Sequence, residues 1–208
     1  RIAREMGLAA ALAEGGSVAE IARRAGLDPV AGPPLLDWLL RLLAERGAIV
    51  HIVSPRIGEF PPSLGLRFPE ISKTHVLSVR LMENAGWLKI DRYMDEAKVA
   101  DYDAMILPGG SWNPDFLRAD KDAQNFTRDM HGAGKPTCGI CHGPWVMVSA
   151  KMLKGKKATA VWNIQIDLEN AGATVIDEPC VVDGNLITAR FPYDLPRMVH
   201  ALVQQLVA

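Results

Sequence analysis

The stretch Lys135-Pro-Thr-Cys138-Gly-Ile-Cys141-His142-Gly143-Pro144-Trp145 constrains this chain more than any other. A short apolar strand, 136–140, runs into a turn. Pro144 then opens a helix, because its missing N–H costs nothing in a first helical turn. Cys141 therefore sits where the chain leaves the carboxyl edge of a sheet, the edge at which open α/β sheets hold their ligands. That is the layout of a nucleophile elbow. A helix start also favours a thiolate and offers free backbone amides to an oxyanion.

The surrounding pattern is regular. Ala104-Met-Ile-Leu107 reads as a buried strand ending at Pro108-Gly109-Gly110. Glycine there lets the backbone approach a reacting carbonyl closely, so the Gly110 and His142 amides are the candidate oxyanion donors. Helices are expected over 121–132, 164–171 and 195–207, and strands over 174–176 and 186–189. Strands alternating with helices predict an α/β fold with a doubly wound, mostly parallel sheet.

The first part of the chain differs. Residues 1–72 hold eight arginines and no lysine, against nine lysines and six arginines afterwards, a shift that suggests a boundary. Residues 1–48 read as a helical segment, with Ser17 a plausible N-cap and Glu20 three residues on. Pro33-Pro34 opens a strongly amphipathic helix over Leu35–Leu43, stopped by Gly47. Residues 48–54 read as a strand, and two short strands or a hairpin are expected around Val76–Val79 and Trp87–Ile90. The division expected is a helix-turn-helix-like segment at 1–48 and an α/β domain at 49–208.

Composition narrows the function. The net charge is −1, which predicts neither a nucleic-acid nor a membrane partner. Residues 1–50 carry six arginines against six acids, so the helical segment lacks the positive excess a phosphate-binding surface needs. No run reaches about 18 apolar residues. Three cysteines are too few for a disulfide scaffold. With no basic-then-apolar leader in evidence, a cytoplasmic, reducing compartment is expected.

Cys138-Gly-Ile-Cys141-His142 also satisfies the C-x-x-C-H pattern of haem attachment and the C-x-x-C of a redox pair. The first calls for export. The second puts both cysteines at a helix start, whereas Cys138 should lie inside the strand. Inert burial is the plain alternative, and it suits Cys138 and Cys180 better than Cys141.

Several stretches together resemble the ThiJ/PfpI superfamily: 101–110, Asn113-Pro-Asp-Phe-Leu-Arg118, 134–136, Ile140-Cys-His-Gly-Pro-Trp145, 167–173, 182–188 and 190–196. The resemblance implies a flavodoxin-like, glutamine amidotransferase-like sheet. It implies Cys141 as nucleophile, His142 as general base, and Gly110 and His142 as oxyanion donors. It also implies a carboxylate, mapping onto Asp115, that orients the histidine across a subunit interface in a dimer or hexamer. The family's activating glutamate would fall on Gly32. Residues 1–48 are instead similar to the helical dimerisation segment of O-methyltransferases.

The missing glutamate has an energetic consequence. Lowering a thiol pKa from roughly 8.5 to about 6 takes about 3.4 kcal/mol, and a helix start supplies about 2 at most. His142, or an acid such as Glu14, Glu20 or Asp37, would have to supply the rest, or Cys141 is a slow nucleophile. The resemblance implies a cofactor-free, metal-free cysteine hydrolase, deglycase- or glyoxalase-like, acting on a glycated or carbonyl adduct of a small molecule or protein. A peptidase and a stress sensor that oxidises at Cys141 are the alternatives.

Overall fold

A computed structural model of the chain describes residues 51–55, 75–80 and 83–207. The helical segment expected at 1–48, its boundary, the candidate acids Glu14, Glu20 and Asp37, and the glutamate position at Gly32 lie outside the described residues.

The central sheet has four strands: β5 (Met105–Leu107), β6 (Thr137–Ile140), β9 (Cys180–Asp183) and β10 (Leu186–Ala189), in the order β5-β6-β10-β9. β6 pairs in parallel with β5 and with β10, with Cys138 opposite Ile106 on one side and Ile187 on the other. β9 joins the far edge of β10 antiparallel. β6 thus has a parallel neighbour on each side.

Alternation along the strands divides the core into two layers. Cys138 and Ile140 face the same way as Ile187 and Ala189, and α5 (Leu195–Val207) covers them with Leu195, Met198, Val199 and Leu202. Leu107 and Leu186 belong to the other layer. There α3 (Pro144–Ser149) contributes the fully buried Val146 and Met147, and α2 (Lys121–Gly132) contributes Ala123. Each fully buried Met or Leu of this kind contributes about 2–3 kcal/mol. Gly139 lets α3 lie close on β6. A Cβ there would stand 2.9 Å from Met147 Cε and 3.3 Å from Pro144 Cγ, which is why a glycine interrupts an otherwise apolar strand.

Polar ties hold the amino ends of the strands in register. Lys135 Nζ donates to the carbonyls of Val99 (2.8 Å) and Tyr102, fastening the approach to β5 onto the approach to β6. Asn185 does the same for β10, donating to the Lys135 carbonyl at 2.8 Å. α1 (Trp112–Leu117) and α2 follow β5, and Asp120 caps α2 by accepting from the Ala123 N–H at 2.7 Å.

The remaining strands are short. β1 (Val53–Ser54) pairs in parallel with β4 (Arg92–Tyr93), which confirms only the end of the strand expected at 48–54. The expected hairpin is present as β2 (His75–Arg80) and β3 (Glu83–Lys89), paired antiparallel. The strand expected at 174–176 is not in the main sheet. As β8 (Thr174–Val175) it pairs with β7 (Lys157–Ala158), a strand the sequence reading did not contain. α4 (Gln165–Asn170) lies between these two, preceded by a single helical turn, Trp162–Ile164.

Candidate active site

The elbow is formed as the spacing predicts. Cys141 adopts φ +61°, a left-handed conformation unusual for any residue but glycine. It is held there by its neighbours. Its N–H donates to the Ala189 carbonyl at 3.0 Å, extending the β6–β10 ladder by one bond, and its carbonyl accepts from the Val161 N–H at 3.2 Å. Gly143 N–H closes the turn onto the Ile140 carbonyl at 2.8 Å. Strain of this kind persists only where surrounding contacts over-determine it, and it gathers at functional positions. The partly buried Cys141 side chain touches both core layers at the end of the sheet.

Two backbone amides converge on the sulfur. The backbone N–H groups of Gly110 and His142 both act on the Cys141 thiol and favour its ionised form. Gly110 takes φ +79° at the end of the Pro108-Gly109-Gly110 turn, and Asn113 Nδ2 pins that turn by donating to the Pro108 carbonyl at 3.1 Å. Gly109 then comes so near Cys141 that only a glycine fits.

His142 faces the thiol, with Nδ1 at 3.3 Å from Cys141 Sγ, and its Nε2 lies 3.4 Å from the side-chain amide of Asn163. The imidazole meets Trp145 edge-on at 5.1 Å between centroids. Trp145 is itself held on two sides. Its indole donates to Asp167 Oδ2 at 2.6 Å, and the Arg118 guanidinium lies 4.9 Å from its ring centre.

Burial governs the electrostatics. It pushes the Cys141 thiol above its ordinary value, more strongly than the two amides pull it down, and it lowers His142. Both groups are therefore neutral at rest near pH 7. The help expected from the helix start reaches the sulfur as individual amide bonds and is outweighed by desolvation.

Cys138 is fully buried in β6, and burial drives its thiol far above the ordinary range. An exposed C-x-x-C redox pair and a haem linkage are thereby removed. Cys180, expected to be buried, is only partly so, since it sits on edge strand β9. Asp115 is exposed in the first turn of α1, and no hydrogen bond joins it to His142 among the described residues. No group of three metal-binding side chains occurs among the described residues, and no described helix is long and apolar enough to cross a membrane.

Sequence reasoning missed Asn163 and an aromatic rim beside it. Trp162 stacks on Phe191 at 5.1 Å and 13°, and Phe191 on Tyr193 at 6.1 Å and 6°, with Trp162 and Tyr193 about seventy per cent exposed. No local pattern announces either, because the residues meet only through the fold.

The model described as DJ-1/PfpI family matches residues 39–205. A relative from Escherichia coli (strain K12), Protein/nucleic acid deglycase 2, is 49% identical over 127 residues, spanning 61% of this chain and 73% of that protein. Among solved structures, a two-domain Anabaena variabilis protein with dj-1/thij/pfpi-like and ferritin-like domains matches with TM-score 0.57 and 38% identity. The match covers 58% of this chain and only 36% of that one. A ThiJ/PfpI domain protein from Brachyspira murdochii matches with TM-score 0.65 over 83% of this chain and 89% of its own, at 20% identity, a likeness of fold alone. The O-methyltransferase likeness of residues 1–48 is not borne out.

Proposed function

The chain belongs to the DJ-1/PfpI family, and from that premise we propose that it is a cysteine-dependent hydrolase that removes carbonyl adducts, acting as a deglycase. The observation that carries this reading is the convergence of the Gly110 and His142 amides on the sulfur of a strained elbow cysteine. Amides aimed at the sulfur also lie next to the oxygen of any carbonyl carbon that the sulfur attacks. The likeness to a relative named as a deglycase supports the choice of adduct.

In the proposed reaction the Cys141 sulfur adds to the adduct's carbonyl carbon, and the C=O electron pair moves to oxygen. That oxygen rests between the two amides, and His142 carries protons between sulfur, oxygen and leaving group. The C–H hydrogen of the adduct carbon then shifts to the attacked carbon and expels the Cys141 sulfur, oxidising the first carbon to an acyl group as it reduces the second to an alcohol, and one water hydrolyses that acyl group to release the thiol or amine and a 2-hydroxy acid. A second copy of the chain would bring Asp115 to His142 from outside, in a dimer or higher assembly. A reducing, cytoplasmic setting would keep Cys141 a free thiol.

The peptidase reading uses the same atoms with an amide substrate. The sensor reading draws less support, because oxidation favours thiolates and burial holds this sulfur as a thiol. The discriminating experiment measures release of hydroxy acid from methylglyoxal-modified thiols and amines, and cleavage of a peptide substrate, by the wild type and Cys141→Ser. Hydroxy-acid release that vanishes in the variant is expected. Equal rates in the two proteins would remove Cys141 from the mechanism.

A further inference from the structure

The two ring nitrogens of His142 each have a partner. Nδ1 faces Cys141 Sγ at 3.3 Å, and Nε2 faces Nδ2 of Asn163 at 3.4 Å. A neutral imidazole carries one proton, so the bond made at one nitrogen decides what the other can do. An amide Nδ2 only donates. With the amide in this orientation the nitrogen it faces presents a lone pair, which puts the proton on Nδ1, aimed at the sulfur.

We infer that Asn163 is a positioning residue that holds His142 in its Nδ1–H tautomer, making the imidazole a third hydrogen-bond donor to the Cys141 sulfur beside the Gly110 and His142 amides. The functional meaning of this assignment rests on the reading of Cys141 as the nucleophile. In the Nδ1–H tautomer His142 stabilises the thiolate and has a proton ready for the developing oxyanion or leaving group. It cannot take the thiol proton. Rotation of the Asn163 amide by half a turn presents Oδ1 instead, which accepts Nε2–H and turns the Nδ1 lone pair toward sulfur. An amide serves both states, whereas a carboxylate in its place would accept only and would fix the second.

The placement of Asn163 follows from the backbone. Its helical turn, Trp162–Ile164, is anchored by the buried Val161 and Ile164, and Val161 N–H donates to the carbonyl of Cys141 itself. The amide is thus registered to the elbow although the side chain is exposed. Among the described residues, Arg118 and Asp167 contact Trp145, which in turn meets the His142 ring.

The test uses the full chain with 15N-labelled histidine. Long-range 1H–15N spectra at mildly alkaline pH report the tautomer of His142 in the wild type, Asn163→Ala and Asn163→Asp, and iodoacetamide alkylation of Cys141 is followed across pH in each. The wild type is expected to show a protonated Nδ1 and a lone-pair Nε2, Asn163→Asp the reverse, and Asn163→Ala a mixture. Alkylation near neutral pH should fall in Asn163→Ala by up to about tenfold, the loss of one charge-assisted donor. A wild-type proton on Nε2, or one tautomer common to all three proteins, overturns the assignment. Both readouts are independent of turnover, so an inactive wild type counts against the hydrolase and leaves the tautomer result standing.

Discussion

A methyl group placed on Gly109 would stand 2.5 Å from Cys141 Cβ and 3.3 Å from its sulfur. Cys141 thus packs directly against the backbone of the turn that carries Gly110, a proposed oxyanion donor, and the two cannot move apart independently. Gly109→Ala should displace the elbow, lowering Cys141 alkylation at least tenfold and costing about 1–3 kcal/mol of stability. Gly143→Ala is the companion. Its Cβ would meet the Leu107 carbonyl at 2.4 Å and the Ile140 carbonyl at 2.9 Å, backbone atoms that cannot swing aside. Denaturation of the two variants should rank Gly143→Ala as the less stable.

The left-handed backbone at Cys141 inverts a familiar order. At φ +61° any side chain carries a steric cost of about 1 kcal/mol that glycine escapes. Cys141→Gly should therefore be more stable than Cys141→Ala by about that amount, although glycine ordinarily loses to alanine, and both should be inactive. Urea midpoints compared at equal slope check this. Alanine as the more stable variant would mean that the elbow is unstrained.

Asp167 should matter to the site without touching it. Its carboxylate accepts the Trp145 indole N–H at 2.6 Å, and Trp145 walls the His142 ring. Asp167→Ala leaves that donor without its partner, at a cost of about 1–2 kcal/mol. It should also broaden the His142 ring resonances as the wall loosens. Asp167→Asn, which retains an acceptor oxygen, should recover most of both.

Alkaline pH should weaken the fold through its cysteines. Burial raises Cys180 to about 11, and it raises Cys138 further and Cys141 as well. A raised native pKa contributes stability that is complete below the unfolded value, near 9, and is lost as pH climbs through the native one. Above the unfolded value the unfolded chain has released protons that the native state still holds, so stability falls with rising pH. The denaturation midpoint should hold steady from neutrality to about pH 8 and decline beyond it. Cys138→Ala should flatten the decline. An unchanged slope in that variant would show that Cys138 contributes nothing to it.

The legible parts of this molecule are those whose signal is local. The turn at Cys141, the helix behind Pro144, α2, α5 and the strands β5, β6 and β10 announce themselves through apolar periodicity and through proline or glycine at their ends. β9 was missed even though Asp183-Gly184 marks a tight turn, with Gly184 at φ +62°. A four-residue strand that is half exposed on an edge lacks the continuous apolar run of its neighbours. β7 and β8 have two residues each, too few for any period to show. α1 hides because Pro114 interrupts its propensity.

Chain order alone thus determined that a cysteine stands at a strand-to-helix turn opposite a diglycine turn, because each of those features is encoded within a few consecutive residues. Only the tertiary structure decided the state of that cysteine. The desolvation that holds Cys141 and His142 neutral depends on how two core layers close over the sheet edge. The Asn163 amide reaches the imidazole across 21 residues of chain, and the partners of β6 are chosen by pairing between distant strands. Such contacts are properties of packing, and no single stretch of residues carries them.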